Sequence, residues 1–258
     1  MPGNIQSIER AATILRLLSG RNRVLGVVDI AGEMGLPKGT VHGLLRTLQS
    51  VGFVEQDEDS GKYRLGAALL HMGSSYLDGN ELRTRALNWS DSLATRTGEA
   101  VRIGTLHEQH VLVVHHVFRP DNTVQILEVG AAIPWHACAL GKAIAAYAPA
   151  PHRTALLVGE LRPLTGRTIS DPTRLRADLE EVADVGYAIE DEEAIVGEAE
   201  IAAPAFDHRR APAGAISIVG PVERLMPDGP ASSLVAAVKE AARGLSRDMG
   251  AGRVAARG

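Results

Sequence analysis

Hydrophobic positions recur at helical spacing through the first third of this chain and shift towards strand-like runs after residue 100. The clearest helical stretch is Asp29 to Ser50, DIAGEMGLPKGTVHGLLRTLQS. Ile30, Ala31 and Met34 predict a short helix, which Gly35 ends because glycine best adopts the left-handed conformation past a helix C-terminus. Leu36 turns inward, and Pro37 presets the first turn of a second helix, where its missing N–H costs nothing. In that helix Val41, Leu44, Leu45 and Leu48 fall at i, i+3, i+4 and i+7, a single apolar stripe. Its other face carries Lys38, Thr40, His42, Gly43, Arg46 and Thr47, which are cationic, hydrogen-bonding or small. This window alone fits either a plain αα-hairpin or a helix-turn-helix whose second helix can enter a major groove.

The neighbouring patterns decide between the two. Ser7 is placed to cap a helix running to about Leu18, with Ile8, Ala12, Leu15 and Leu18 on one face, and Ser19–Gly20 and Arg21–Arg23 end it. The segment after the second helix reads GFVEQDEDSGKYRLG, and the apolar run Val24 to Val28 is expected to pass beside it. There Phe53 and Val54 read as a strand, Asp57 to Gly61 as a turn and Tyr63 to Leu65 as the returning strand. Lys62, Tyr63 and Arg64 at its end can reach phosphates beside a groove. A helix-turn-helix followed directly by such a hairpin is a winged helix-turn-helix, expected over residues 5–66.

Further along, Leu69, Leu70, Met72 and Tyr76 predict a linker helix within 67–80, and Glu81 to Thr97 is helical with Leu82, Ala86, Trp89 and Leu93 on one stripe. The apolar faces of these helices suit either a rigid connection or packing against a second subunit. Strands are expected at Ala100 to Leu106, Val111 to Val117, Val124 to Val129, Gly186 to Ile189, Glu198 to Phe206 and Ala213 to Gly220. Ile133 to Cys138 leads into a helix ending near Tyr147, and Pro151 to Val158, Thr173 to Val185 and Ala231 to Met249 are further helices. Gly250 to Gly258 reads as a disordered tail. Strands flanked by helices without repeated βαβ units make the segment 81–250 an α+β sheet domain.

Charge adds little by itself. The net charge is −4, but residues 1–66 hold eight Lys/Arg against seven Asp/Glu, a balance of +1, while the remainder carries −5. Four of those seven acids crowd the hairpin turn (Glu55, Asp57, Glu58, Asp59), so the rest of the N-terminal segment is basic, as a nucleic-acid partner requires. A single cysteine excludes an internal disulfide and suits a reducing cytoplasm. No run approaches the roughly 20 apolar residues of a membrane helix, and no signal-peptide pattern opens the chain, so a cytoplasmic protein without a membrane partner is expected.

IERAATILRLL, DIAGEMGLPKGTVHGLLRTLQSVGFVEQ and KYRLG, in that order and spacing, resemble the DNA-binding half of the IclR-type transcriptional regulators. The resemblance extends over nearly the whole chain through IPWHACALGKAIAAY, EDEEAIVGEAEIAAPAFD and AGAISIVGPVERL. The NIQSIERAA opening and KGT–HG pattern bring it nearest the glycerol operon regulators within that family. The resemblance implies a GAF/PAS-like effector-binding domain and a homodimer or tetramer. It also implies a regulator, expected as a repressor, that is released from operator DNA by a small metabolite such as glycerol 3-phosphate or glycerol. Control of a different operon by a small organic or aromatic acid is the alternative, and a small-acid enzyme using Cys138 and His136 the more remote one.

On this alignment Lys38, Thr40, His42, Arg46 and Thr47, with Lys62 and Arg64 of the hairpin, are the DNA-facing set. Ile133, Trp135, His136, Cys138, Gly141, Glu190, Glu198, Glu200, Ser217 and Val219 are the effector-facing set. Arg102 and Lys142 are candidate partners for the carboxylates. Several positions depart from the family pattern. Gly39 and Gly43 stand where many members carry larger polar side chains, and each lowers helix propensity by up to ~1 kcal/mol against alanine. Glu200 replaces a small Cys or Ser, and Trp135 a smaller aliphatic residue. Cys138, common as Thr or Ser, lies two residues after His136, yet no third orienting group for a thiol nucleophile is specified, and an enzyme is not expected. His107, His110, His115 and His116 match no standard zinc spacing, so neither metal nor cofactor is expected.

Overall fold

The computed structural model describes residues 5–20, 24–121, 125 and 128–252, which divide between residues 79 and 80 into two units. The first begins with α1 (Gln6–Ser19), α2 (Val27–Met34) and α3 (Lys38–Ser50). A two-stranded antiparallel wing of β1 (Val54–Gln56) and β2 (Tyr63–Leu65) comes next, with Val54 opposite Leu65. Gly35 has φ 59°, and its N–H closes α2 on the Ala31 and Gly32 carbonyls. Pro37 is the residue before the first turn of α3, its carbonyl accepting from the N–H groups of Thr40 and Val41 at 3.0 and 3.2 Å.

Ile14, Leu18, Ile30, Val41, Leu45, Val54 and Tyr63 form one core, with Leu44 partly buried against it. Several expectations change here. Ser7 lies inside α1, which starts after Ile5 with no side-chain cap. The buried face of α1 is Ile14 and Leu18 with Ala11 and Leu15 alongside, whereas Ile8 is 63% exposed. Tyr63 is core rather than a phosphate contact, 4% exposed. The run from Val24 is split: Leu25 exchanges two backbone hydrogen bonds with Tyr63, at 3.0 and 2.8 Å, while Val27 already begins α2. The stretch Arg21–Arg23 lies outside the described residues. After the wing, α4 (Ala67–Asp78) buries none of its residues, and Leu70, Met72 and Tyr76 are exposed.

The second unit opens with α5 (Glu81–Thr97), capped by the Asn80 side chain accepting from the Arg83 N–H. Its chain then runs β3 (Ala100–His107), β4 (His110–Val117), β5 (Ala132–Pro134), a 3-10 turn Trp135–Ala137, and α6 (Ala139–Ala146). The remaining elements are α7 (Ala150–Val158), α8 (Pro172–Val185), β6 (Ala188–Asp191), β7 (Glu198–Phe206), β8 (Pro212–Pro221), α9 (Val222–Leu225) and α10 (Ser232–Asp248). The six strands form one antiparallel sheet in the order β5-β4-β3-β8-β7-β6, so the unit is α+β. Of the strand expected from Val124 to Val129, residues 124, 126 and 127 lie outside the described residues and Gln125, Glu128 and Val129 are not in a strand; the tail beyond Gly252 is also outside.

Helices α5 and α10 cover one sheet face and α6 with α8 the other. Gly244 of α10 lies under the Trp89 ring; a Cβ there would stand 2.2 Å from it. Trp89 also donates its indole N–H to Asp248 at 2.7 Å. Among the described residues no helix is long and apolar enough to cross a membrane, and no three His, Cys, Asp or Glu side chains gather as a metal site.

Candidate functional site

Two surfaces concentrate polar side chains that core packing does not explain. The first is the outer face of α3. Burial of Val41, Leu45 and Leu48 fixes the helix's rotation, which leaves Lys38, Gly39, Thr40, His42, Arg46 and Thr47 exposed. Thr47 spends its hydroxyl on the Gly43 carbonyl at 3.1 Å. Lys38, Arg46 and the wing's Lys62 make no ion pair among the described residues, so their charge is available to a polyanion. Arg64 is different: it is paired with Glu55 at 3.2 Å. The wing turn holds itself closed, Asp57 accepting from the backbone N–H and hydroxyl of Ser60 at 2.8 and 2.7 Å. Those Ser60 hydrogen bonds hold the Asp57 carboxyl below its ordinary range.

The second surface is the α6 face of the sheet. Strand register puts Arg102 opposite Ser217, and Glu200 opposite both Glu190 and Val219, so these side chains share a face. Arg102 is 5% exposed and binds Glu128 through two guanidinium nitrogens, Glu198 at 3.0 Å and Glu200 at 3.7 Å. Burial works against its charge, and Glu200 foremost, with Glu128 and Glu198, more than offsets that. Glu200 is fully buried. One of its oxygens accepts from the backbone N–H groups of Ala139 and Leu140, at 2.8 and 3.3 Å, and the other from the Ser217 hydroxyl at 2.7 Å. Its carboxylate therefore sits on the N-terminus of α6, where orphan N–H groups and the helix dipole favour negative charge. Burial raises its pKa and Arg102 opposes the rise.

Glu190 accepts from the N–H groups of Glu193 and Ala194 at 2.5 and 2.9 Å, and burial pushes its carboxyl up to about 8. Lys142, 1% exposed, is committed elsewhere, to Glu193 at 2.5 Å and Asp178 at 3.3 Å. A cavity of about 470 Å³ opens beside the cluster, lined by Arg102, His116, Glu128, Glu198 and Val219 among others. That volume is in the range of small-molecule sites.

Of the effector-facing set only Glu198 and Val219 line this cavity; Glu190, Glu200, Ser217 and the remaining candidates do not. Trp135 is fully buried and donates its indole N–H to Gln109 at 3.0 Å. His136 is 1% exposed, with Nε2 3.0 Å from the Arg162 carbonyl oxygen, and burial lowers its pKa. Ile133 packs against the apolar core on the same sheet face. Gly141 is there for packing, since a Cβ would lie 2.1 Å from the Trp135 carbonyl oxygen. Cys138 precedes α6, and burial, then Glu200, raises its thiol well above its usual range, the reverse of what a nucleophile needs. Glu128 belongs to the cluster but carries no sequence signal, because Arg102 meets it only through the fold.

Residues 7–58 match the IclR helix-turn-helix domain, and residues 74–247 match the bacterial transcriptional regulator IclR C-terminal domain. The chain is 54% identical to the glycerol operon regulatory protein of Streptomyces griseus, the match covering 98% of this chain and 100% of that protein. Identity and coverage are the same for the glycerol operon regulatory protein of Streptomyces coelicolor. Among solved structures, an IclR transcriptional regulator from Alicyclobacillus acidocaldarius superposes with a TM-score of 0.80 at 27% identity, covering 96% of this chain and 100% of that one. These relatives are transcriptional regulators rather than enzymes. With both domains matched in order, the chain belongs to the IclR family of DNA-binding transcriptional regulators.

Proposed function

We propose that this regulator represses a glycerol catabolic operon in the cytoplasm and is released from its operator by a small metabolite, glycerol or glycerol 3-phosphate. The observation that carries the reading is the 54% identity, over the whole length, to two glycerol operon regulatory proteins. Lys38, Thr40, His42, Arg46 and Thr47 face the major groove, with Lys62 and Arg64 on flanking phosphates. The exposed Leu70, Met72 and Tyr76 of α4 support a homodimer or tetramer, which paired half-sites require.

The effector occupies the α6 face of the sheet. Arg102, Glu198 and Val219, which line the cavity, are its nearest partners, with Glu200 and Ser217 behind them and Glu190 adding to the charge; Ile133, Trp135, His136, Cys138 and Gly141 hold α6 and its approach in place. Around Arg102 three carboxylates face one guanidinium. That balance suits a neutral polyol donating hydroxyl hydrogens better than a phosphate or an aromatic carboxylate, either of which would add negative charge beside Glu200. Release occurs if the ligand binds the DNA-free arrangement more tightly than the DNA-bound one.

The test is binding of purified protein to DNA upstream of the glycerol kinase gene of its own genome, at stated salt, with glycerol, glycerol 3-phosphate and 4-hydroxybenzoate as separate arms. Wild type binds specifically, Arg46→Ala binds at least tenfold more weakly, and glycerol releases the complex. No specific binding refutes the operon assignment, equal binding by Arg46→Ala refutes that residue's role, and release by the aromatic acid alone refutes the glycerol assignment.

A further inference from the structure

Most glycines of this protein have an internal reason. Some, such as Gly35 and Gly98, hold positive φ, and others, such as Gly66, Gly141, Gly214 and Gly244, sit where a Cβ would stand 2.1–2.3 Å from another atom of the fold. Among the described residues, four glycines inside helices have neither reason: Gly32, Gly39, Gly43 and Gly73. A Cβ at any of them would meet nothing within 4 Å. Three of the four belong to the helix-turn-helix, and Gly39 and Gly43 are one turn apart on α3.

Their position on α3 is specific. Val41, Leu45 and Leu48 point into the core, and helical spacing sets Gly39, Gly43, Arg46 and Ser50 directly opposite, at i, i+4, i+7 and i+11. The two glycines therefore lie on the outward side of the first two turns, Gly39 exposed and Gly43 half-buried, in the part of a recognition helix that approaches base edges. Lys38, Thr40, His42 and Arg46 stand around them as exposed side chains. Glycine weakens a helix here without any return within the chain. The match to a helix-turn-helix family supplies, independently, the surface that meets this face.

We propose that Gly39 and Gly43 are specificity-determining positions at which the backbone of α3 lies against the floor of the DNA major groove. Close approach of backbone to a ligand is one of glycine's uses. The gap lets Lys38, His42 and Arg46 reach deeper than they would on a helix held off by Cβ groups. Base pairs under the gap are read by fit, with a thymine methyl or a groove of particular width accepted and others refused. The inference rests on α3 being the groove-entering helix.

The test uses full-length wild type, Gly39→Ala and Gly43→Ala, with a duplex enriched from a randomised library on the wild-type protein. Binding is read by fluorescence anisotropy at fixed salt, alongside urea denaturation. Each alanine variant is expected to unfold at higher urea than wild type, and yet to bind the enriched duplex at least tenfold more weakly. Affinity for an unrelated duplex changes less than twofold, and re-enrichment on each variant yields a different preference at the central base pairs. Equal or tighter binding by the alanine variants with unchanged base preference overturns the proposal. If the library yields no enriched sequence on wild type, the assignment of α3 to the groove fails, and the proposal falls with it.

Discussion

Glu200 offers the sharpest test of how the second unit is built. Its carboxylate is fully buried and accepts hydrogen bonds from two α6 N–H groups and from Ser217, while Arg102 lies 3.7 Å away. Glu200→Ala removes all of these and leaves the Ala139 and Leu140 N–H groups without an acceptor. Losing one partner from a buried charged network is worth about 3–5 kcal/mol, and each hydrogen bond to a charged acceptor about 1.5–3 kcal/mol. Two effects pull the total down: Arg102 keeps Glu128 and Glu198, and like-charge repulsion with Glu190 and Glu198 disappears. The expected loss is therefore near the lower bound, about 3 kcal/mol. Glu200→Gln keeps an oxygen for the α6 N–H groups and turns its amide towards the Ser217 oxygen, which can accept. That variant is expected within about 1 kcal/mol of wild type, as for a neutral hydrogen bond replacing a charged one. The protein's two tryptophans, Trp89 and Trp135, both lie in the second unit, so fluorescence during urea unfolding reports on that unit. Wild-type stability for the alanine variant, or equal damage by glutamine, would refute the capping argument.

Two further substitutions probe neighbouring packing. Glu190 is an acid whose pKa is raised on folding, to about 8, so the native state binds the extra proton and stability falls as pH rises from about 4.5 towards 8. Glu190→Gln should remove that slope, gaining about 2–4 kcal/mol at pH 8.5 relative to its effect at pH 5; denaturation midpoints that differ by a constant amount across this range would contradict it. Gly244→Ala forces a methyl within 2.2 Å of the Trp89 ring. About 2–3 kcal/mol of overpacking is expected, with a shifted tryptophan emission, and an unchanged melting curve would mean that α5 and α10 separate without strain.

Much of the architecture was legible because local pattern decides it. Val41, Leu44, Leu45 and Leu48 fixed the rotation of α3, and the spans Glu81–Thr97 and Glu198–Phe206 coincide with α5 and β7. Local pattern is ambiguous where a sequence allows several faces and only the partner selects one. In α1, Ile8, Ile14, Leu15, Leu17 and Leu18 offer more than one stripe, and the core took Ile14 and Leu18. Tyr63 stood between Lys62 and Arg64 and read as part of a polar tip, but period-two alternation turns it inward. Trp135 and His136 adjoin the effector motif in sequence, yet the 3-10 turn that carries them into α6 buries both. Alternation along EAEIAAPAF put Glu198 and Glu200 on one face. Their partners, Arg102 and the N-terminus of α6, come from distant segments and leave no local mark.

The two units handle charge in opposite ways, and the contrast bears on how such a regulator is controlled. On α3 and the wing, Lys38, Arg46 and Lys62 stay in solvent, unpaired among the described residues, so their field extends over a Debye length and weakens with salt. In the second unit the buried cations Arg102 and Lys142 are each faced by more than one acid, so their positive charge is spent within the fold. The first arrangement favours any duplex, and the choice among sequences is left to short-range contacts and shape. In the second, the cations are tied up by short-range contacts inside the fold. A neutral small ligand brings no charge of its own with which to alter DNA affinity at a distance. It has to change which arrangement of the second unit is stable, and a difference of 1–3 kcal/mol between arrangements, about what one or two hydrogen bonds to a buried carboxylate supply, is enough to change operator affinity by about 5- to 150-fold.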